Sequence, residues 1–215
     1  MTLQEEITIS TDGVLLRGTL IIPEDTKGIV LFAHGSGSSR FSPRNQCVAS
    51  ELQSGSITTL LMDLLTAQEE TIDLQTRELR FDIPLLARRL EGATDWLFAN
   101  PKSKGFPIGY FGSSTGAAAA LIAAANKNKF VKAVVSRGGR PDLARNSLPK
   151  VQAPTLLIVG GNDYPVIDLN QQAYDLLQCE KKMEIVPGAT HLFEEPGTLE
   201  QVAKLAKNWF IHHLS

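Results

Sequence analysis

The segment Pro107-Ile108-Gly109-Tyr110-Phe111-Gly112-Ser113-Ser114-Thr115-Gly116-Ala117 constrains this chain more than any other. An apolar strand runs straight into Gly-x-Ser-x-Gly, and an Ala-rich helical stretch follows at once. A turn this tight between a strand and a helix pushes its central side chain, Ser114, out at the end of a sheet. Glycines two residues to either side keep the neighbouring backbone from crowding the turn. The helix that follows directs its N-terminal amides, and its partial positive charge, towards the place where an oxyanion would form. The pentapeptide alone arises by chance in roughly one chain in ten to fifteen of this length. Its meaning therefore depends on what surrounds it.

At 215 residues the chain can bury one substantial core, which predicts a single domain over residues 1–215. The formal net charge of −2 gives no reason to expect nucleic acid or an anionic membrane as a partner. No apolar run approaches the roughly 20 residues of a membrane span. The N-terminal residues Met1-Thr2-Leu3-Gln4-Glu5-Glu6 lack the basic and apolar regions of a secretory signal, so a cytoplasmic protein is expected. Cys47 and Cys179 form no CxxC pair and are read as buried thiols. No pair of histidines and carboxylates has the helical spacing of metal ligands, so neither a metal nor another cofactor is expected.

Apolar strands alternate with helical segments along the chain. Glu6–Ser10 and Val14–Ile22 flank an Asp12-Gly13 turn and predict a hairpin. Gly28–Ala33, Ile57–Met62, Pro107–Phe111, Val131–Ser136, Thr155–Val159 and Lys182–Val186 read as further strands. Helices are expected at Pro43–Ser54, with Ser42 as cap, and at Ser114–Ala125, Val166–Leu177 and Leu199–His212. Ile83, Leu86, Leu90, Ala93 and Leu97 mark another amphipathic helix. Asp63–Thr76 reads as a long polar connection. Strands buried on both faces and alternating with helices predict a mostly parallel sheet covered on each side.

A serine hydroxyl needs a base and an orienting acid to act as a nucleophile. Of the 4 histidines, His212 and His213 lie on the terminal helix and His34 borders a glycine-rich loop. His191 follows the Lys182–Val186 strand in Pro187-Gly188-Ala189-Thr190-His191, at the same sheet edge as Ser114. Asp163 follows Thr155–Val159 and a Gly160-Gly161 turn, from which a carboxylate can reach an imidazole. Asp168 suits a helical first turn, and Asp142 is the alternative acid. Backbone donors for a transition-state oxyanion are expected from Thr115 and from the loop after Gly28–Ala33, at Ser36 or a neighbour, where Gly35 and Gly37 allow close approach.

The order Ser114, Asp163, His191, with His34-Gly35-Ser36-Gly37-Ser38, Gly112–Gly116, Gly161-Asn162-Asp163 and Gly188–His191, resembles the α/β-hydrolase fold, and within it the dienelactone hydrolase-like family. Asp63-Leu64-Leu65-Thr66 also looks like a segment of that family. The resemblance implies an α/β architecture with an eight-stranded, mostly parallel sheet and helices on both faces. It also implies a metal-free Ser-His-Asp hydrolase. Dienelactone hydrolases proper use a cysteine at the nucleophile position, so serine at 114 points to a carboxylesterase acting on a small soluble ester or lactone. Residues 137–154 are too few for a large lid. Arg40, Arg137 and Arg140 follow strand ends and are candidates for holding a carboxylate or phosphate of the substrate.

The expected state is a monomer or small homo-oligomer. Gly35-Ser36-Gly37 lacks the third glycine of a dinucleotide loop, since position 40 is Arg, and no phosphate-binding GxxxxGK[ST] loop occurs. Two alternatives share the scaffold: a catalytically silent ligand-binding or interaction module, and an acyltransferase or perhydrolase.

Overall fold

A computed structural model describes residues 2–214. Its eight-stranded sheet contains β1 (Leu3–Thr11), β2 (Val14–Ile22), β3 (Gly28–Ala33), β4 (Ile57–Met62), β5 (Ile108–Ser113), β6 (Val131–Arg137), β7 (Thr155–Gly160) and β8 (Lys181–Val186). The spatial order is β1-β2-β4-β3-β5-β6-β7-β8. The β1–β2 hairpin is antiparallel and joins β4 antiparallel, while every pair from β4 to β8 is parallel. Strands β3, β4, β5 and β7 are buried along their full length, as apolar strands covered on both faces must be.

Helices α1 (Pro43–Ser54) and α6 (Thr198–Leu214) cover one face of the sheet, where Val48, Leu52, Val202 and Phe210 pack on Phe32 and Phe111. Helices α3 (Ile83–Ala99), α4 (Thr115–Asn126) and α5 (Tyr164–Leu176) cover the other, with Leu86, Leu90, Leu121 and Ala173 against Leu31, Tyr110 and Leu157. The start of α1 follows its local signals: Ser42 Oγ accepts the Asn45 N–H and Pro43 occupies the first turn, where a missing N–H costs nothing.

The Asp63–Thr76 segment differs from the expected connection, because Ala67–Thr76 forms a helix, α2. Its two large apolar side chains, Ile72 and Leu74, are exposed and stand two residues apart, so apolar periodicity gives no sign of it. The signal is the reciprocal cap at its start, in which Thr66 Oγ1 accepts the Glu69 N–H and Glu69 Oε2 accepts the Thr66 N–H. Arg77 ends the helix in the left-handed conformation at φ 59°. The connection between β6 and β7 holds only two short 3-10 turns, Pro141–Ala144 and Leu148–Lys150, and no large lid. Cys47 and Cys179 are half-buried rather than fully buried as expected. Burial nonetheless pushes both thiols above their ordinary pKa.

The chain passes from β3 to β4 on one side and then to β5 on the other. The carboxyl ends of β3 and β5 therefore flank a topological switch point, where open α/β sheets place their binding crevices. Ser114 and the 34–39 loop lie there.

Candidate active site

Ser114 sits between β5 and α4 at φ 49°, ψ −120°, a strained conformation for a residue with a side chain. The strain is held by close packing. A Cβ on Gly112 would lie 2.4 Å from the Cα of Ala117, and one on Gly116 would lie 2.3 Å from the Ala33 carbonyl oxygen. Both positions therefore require glycine, which explains the Gly-x-Ser-x-Gly spacing in physical terms. The backbone is pinned as well: the Ser114 N–H donates to the Arg137 carbonyl at 3.2 Å, and the Ser114 carbonyl accepts the Arg140 N–H at 3.0 Å.

His191 and Asp163 meet at the same sheet edge. His191 Nδ1 lies 2.7 Å from Asp163 Oδ2, with the carboxylate side chain 12% exposed and the imidazole 37%. Although Asp163 occupies the N-cap position of α5, its side chain caps no amide and is committed to the imidazole. The loops that carry the pair are joined by backbone bonds. The Asn162 N–H donates to the Ala189 carbonyl at 2.9 Å, and the Gly161 N–H to the Val186 carbonyl at 2.8 Å. Thr190 is clamped by Glu195 through Oγ1 at 2.6 Å and its N–H at 3.1 Å, and these bonds hold the Glu195 carboxyl below its ordinary pKa. Ser114 and His191 line one cleft of about 590 Å³, with no direct hydrogen bond between their side chains in this structure. Such contacts often tighten only when substrate binds.

The alternative acids have other roles. Asp142 takes the Arg140 guanidinium with both oxygens, at 2.9 Å each, and Asp168 is exposed on α5. His34 is a brace. Its Nε2 accepts the Leu64 N–H at 3.1 Å, which assigns the ring proton to Nδ1, 2.9 Å from the Gly35 carbonyl. Burial lowers its pKa, and the neutral ring ties the end of β3 to the end of β4. His213 lies against Trp209 and His212 at the end of α6.

The 34–39 loop approaches the serine closely, and a Cβ on Gly35 would lie 3.2 Å from Ser114 Cβ. The Ser36 N–H, an expected oxyanion donor, has an acceptor in this structure, Thr115 Oγ1, at 2.9 Å. The threonine hydroxyl thus ties the 34–39 loop to the start of α4. This second role of Thr115, beyond its amide, has no signal in the sequence.

The arginines divide sharply. Arg40 is paired with Asp63 through its guanidinium, and its N–H bonds Asp63 Oδ1 at 2.8 Å, so it does not line the Ser114 cleft. Arg140 is held by Asp142. Both guanidiniums are thus held by carboxylates, and neither residue lines the Ser114 cleft. Arg137 does line the cleft, is 5% exposed and, among the described residues, has no carboxylate partner. Arg44, which sequence reading missed, joins it there from the first turn of α1. No residue of 63–76 lines this cleft; that segment and the 34–39 loop border a separate, smaller pocket. Among the described residues no group of three or more His, Cys, Asp or Glu could hold a metal ion, and no helix is long and apolar enough to cross a membrane.

A mostly parallel sheet with a serine on the strand-to-helix turn after β5, and an Asp-bonded histidine after β8, defines an α/β-hydrolase fold. More narrowly, residues 17–212 match the dienelactone hydrolase family, and the chain belongs to it. The crystal structure of a dienelactone hydrolase from Anabaena variabilis ATCC 29413 is 59% identical in sequence and superimposes with a TM-score of 0.98, covering 100% of this chain and 99% of that one. A Pyrococcus furiosus esterase shares the fold at 17% identity and a TM-score of 0.82, over 99% of this chain and 92% of that chain. A Mycobacterium tuberculosis H37Rv protein, provisionally named a phosphoribosyl transferase, is 57% identical over 210 residues, which make up 98% of this chain but 46% of that protein. The chain thus spans about half the length of this relative.

Proposed function

We propose that this hydrolase-family protein cleaves small esters or lactones by way of an acyl-enzyme on Ser114. The observation that carries the reading is the 2.7 Å contact between His191 Nδ1 and Asp163 Oδ2, made by the histidine that shares a cleft with the strained Ser114. Asp163 fixes the tautomer with Nδ1 protonated, leaving Nε2 as the base. Ser114 Oγ attacks the ester carbonyl while Nε2 takes its proton. The oxyanion receives the amide hydrogens of Thr115 and Ser36, the latter after the Thr115 hydroxyl turns away. Collapse breaks the bond from acyl carbon to alcohol oxygen, and the alcohol leaves with the proton from Nε2. Water activated by the same nitrogen then releases the acid and restores Ser114.

The test is turnover of short-chain p-nitrophenyl esters together with labelling by a fluorophosphonate probe. Wild-type protein should hydrolyse the esters and take label at position 114, and Ser114→Ala should do neither. A wild-type protein inert in both assays would instead support a silent binding module.

A further inference from the structure

The Ser114 cleft holds an electrostatic imbalance that ester hydrolysis alone does not use. Arg137 is buried, yet among the described residues its guanidinium has no carboxylate partner and its Nε no hydrogen bond. Its directed contacts are weak: Nη2 lies 3.5 Å from Asn45 Oδ1, which already accepts Ser113 Oγ at 2.9 Å, and the guanidinium carbon lies 5.8 Å from the centre of the Phe193 ring. Arg40, Arg80, Arg88, Arg89 and Arg140, by contrast, each meet a carboxylate: Asp63, Asp73, Asp12, Glu69 and Asp142. A buried charge without a counter-ion is costly, and its retention calls for an occupant.

Arg44 adds a second cation to the same cleft. Its Nε is buried without a partner, and its one ion pair, to Glu194 at 3.2 Å, is on the exposed rim where such pairs count for little. Together, burial and the Arg44 charge push Arg137 down to about 10, still ionised at neutral pH. None of the residues lining the cleft is a carboxylate, and Leu192 is its one large apolar side chain. The remainder includes the hydroxyl side chains of Ser36 and Ser38 and the N-terminal turn of α1, which carries a partial positive charge of its own.

We infer that this cleft binds the phosphate group of a phosphorylated ester, with Arg137 and Arg44 as its cationic ligands. Two guanidiniums and several hydroxyls match a group bearing about 1.5 to 2 negative charges and three acceptor oxygens better than a carboxylate with one charge and two. The backbone bond from the Ser114 N–H to the Arg137 carbonyl holds the two residues side by side, and both line the cleft. This assignment names the substrate class of the hydrolase proposed above and rests on that reading for its catalytic meaning. The binding itself does not depend on it.

The experiment is calorimetric titration with inorganic phosphate at mildly alkaline pH, in wild-type protein and in Ser114→Ala, with acetate and succinate as carboxylate controls. Both proteins should bind phosphate at a single site, and more tightly than either carboxylate. Arg137→Gln should weaken phosphate binding at least about 30-fold, as expected when a buried ionic partner is removed. Arg44→Gln, at a partly exposed position, should weaken it about 3- to 5-fold. Absence of phosphate binding in the wild type overturns the assignment, as does affinity unchanged by Arg44→Gln, which still decides the matter if Arg137→Gln does not fold. Carboxylates that bind as tightly as phosphate overturn the substrate class. Phosphate binding that persists in a protein inert towards esters counts against the hydrolase reading alone.

Discussion

His191 Nδ1 lies 2.7 Å from Asp163 Oδ2, and these residues reach each other from loops after different strands, β8 and β7. The contact fixes which carboxylate orients the imidazole. It also leaves the α5 N-terminus without the side-chain cap that an aspartate in that position would ordinarily supply.

Asp163→Asn should therefore lower kcat by about 10³- to 10⁴-fold, because an amide cannot hold the required tautomer. Asp142→Asn should leave kcat within about 2-fold and only release Arg140 from an ion pair, a surface effect of under about 1 kcal/mol. Steady-state kinetics on a p-nitrophenyl ester checks both. Near-normal turnover in Asp163→Asn would remove this residue from the mechanism.

Gly116→Ala tests the packing that strains Ser114. The added methyl would meet the Ala33 carbonyl at 2.3 Å and the His34 carbonyl at 2.5 Å, contacts that backbone alone can relieve. Urea denaturation should show a loss of about 3 kcal/mol, at the upper end for overpacking. A loss below about 1 kcal/mol would mean that the turn has more slack than its geometry shows.

Thr115→Ala removes the acceptor that holds the Ser36 N–H at 2.9 Å. Amide hydrogen exchange at Ser36 should speed up, since a bond worth about 1 kcal/mol is lost from a loop anchored by few others. Thr115→Ser, which keeps the oxygen, should exchange like wild type. Unchanged exchange in the alanine variant would show that the hydroxyl does not order the loop.

His34 predicts a pH dependence of stability. Burial lowers its folded pKa beneath the unfolded value of about 6.5, so the folded state binds the proton less readily than the unfolded chain. Its contribution is complete above the unfolded pKa and is lost as pH falls from there through the lowered folded pKa. Protonation of Nε2 also replaces the acceptor for the Leu64 N–H with a donor. The melting temperature of His34→Asn should fall less steeply than that of wild type on acidification from neutral pH. Parallel curves would assign the acid sensitivity elsewhere.

Much of the architecture was legible because its signals are local. Pro43 and Ser42 mark the start of α1, apolar runs mark β3, β4, β5 and β7, and the 107–125 pattern places Ser114 between a strand and a helix. Helix α2 escaped that reading because it has no apolar face and only the Thr66–Glu69 cap announces it. The three arginines after strand ends looked alike in sequence, since nothing local tells which will find a carboxylate.

Local signals in the chain place the eight strands in order, put Ser114 on a strand-to-helix turn and set Asp163 and His191 after later strands. These follow from backbone propensity and apolar periodicity, which act over a few residues. Only the tertiary structure decided that Asp163 rather than Asp142 faces the imidazole, that Thr115 Oγ1 covers the Ser36 amide, and that Arg40 and Arg140 are neutralised while Arg137 is not. Those outcomes turn on distances between groups far apart in the chain, where ångströms of loop placement decide which charge meets which partner.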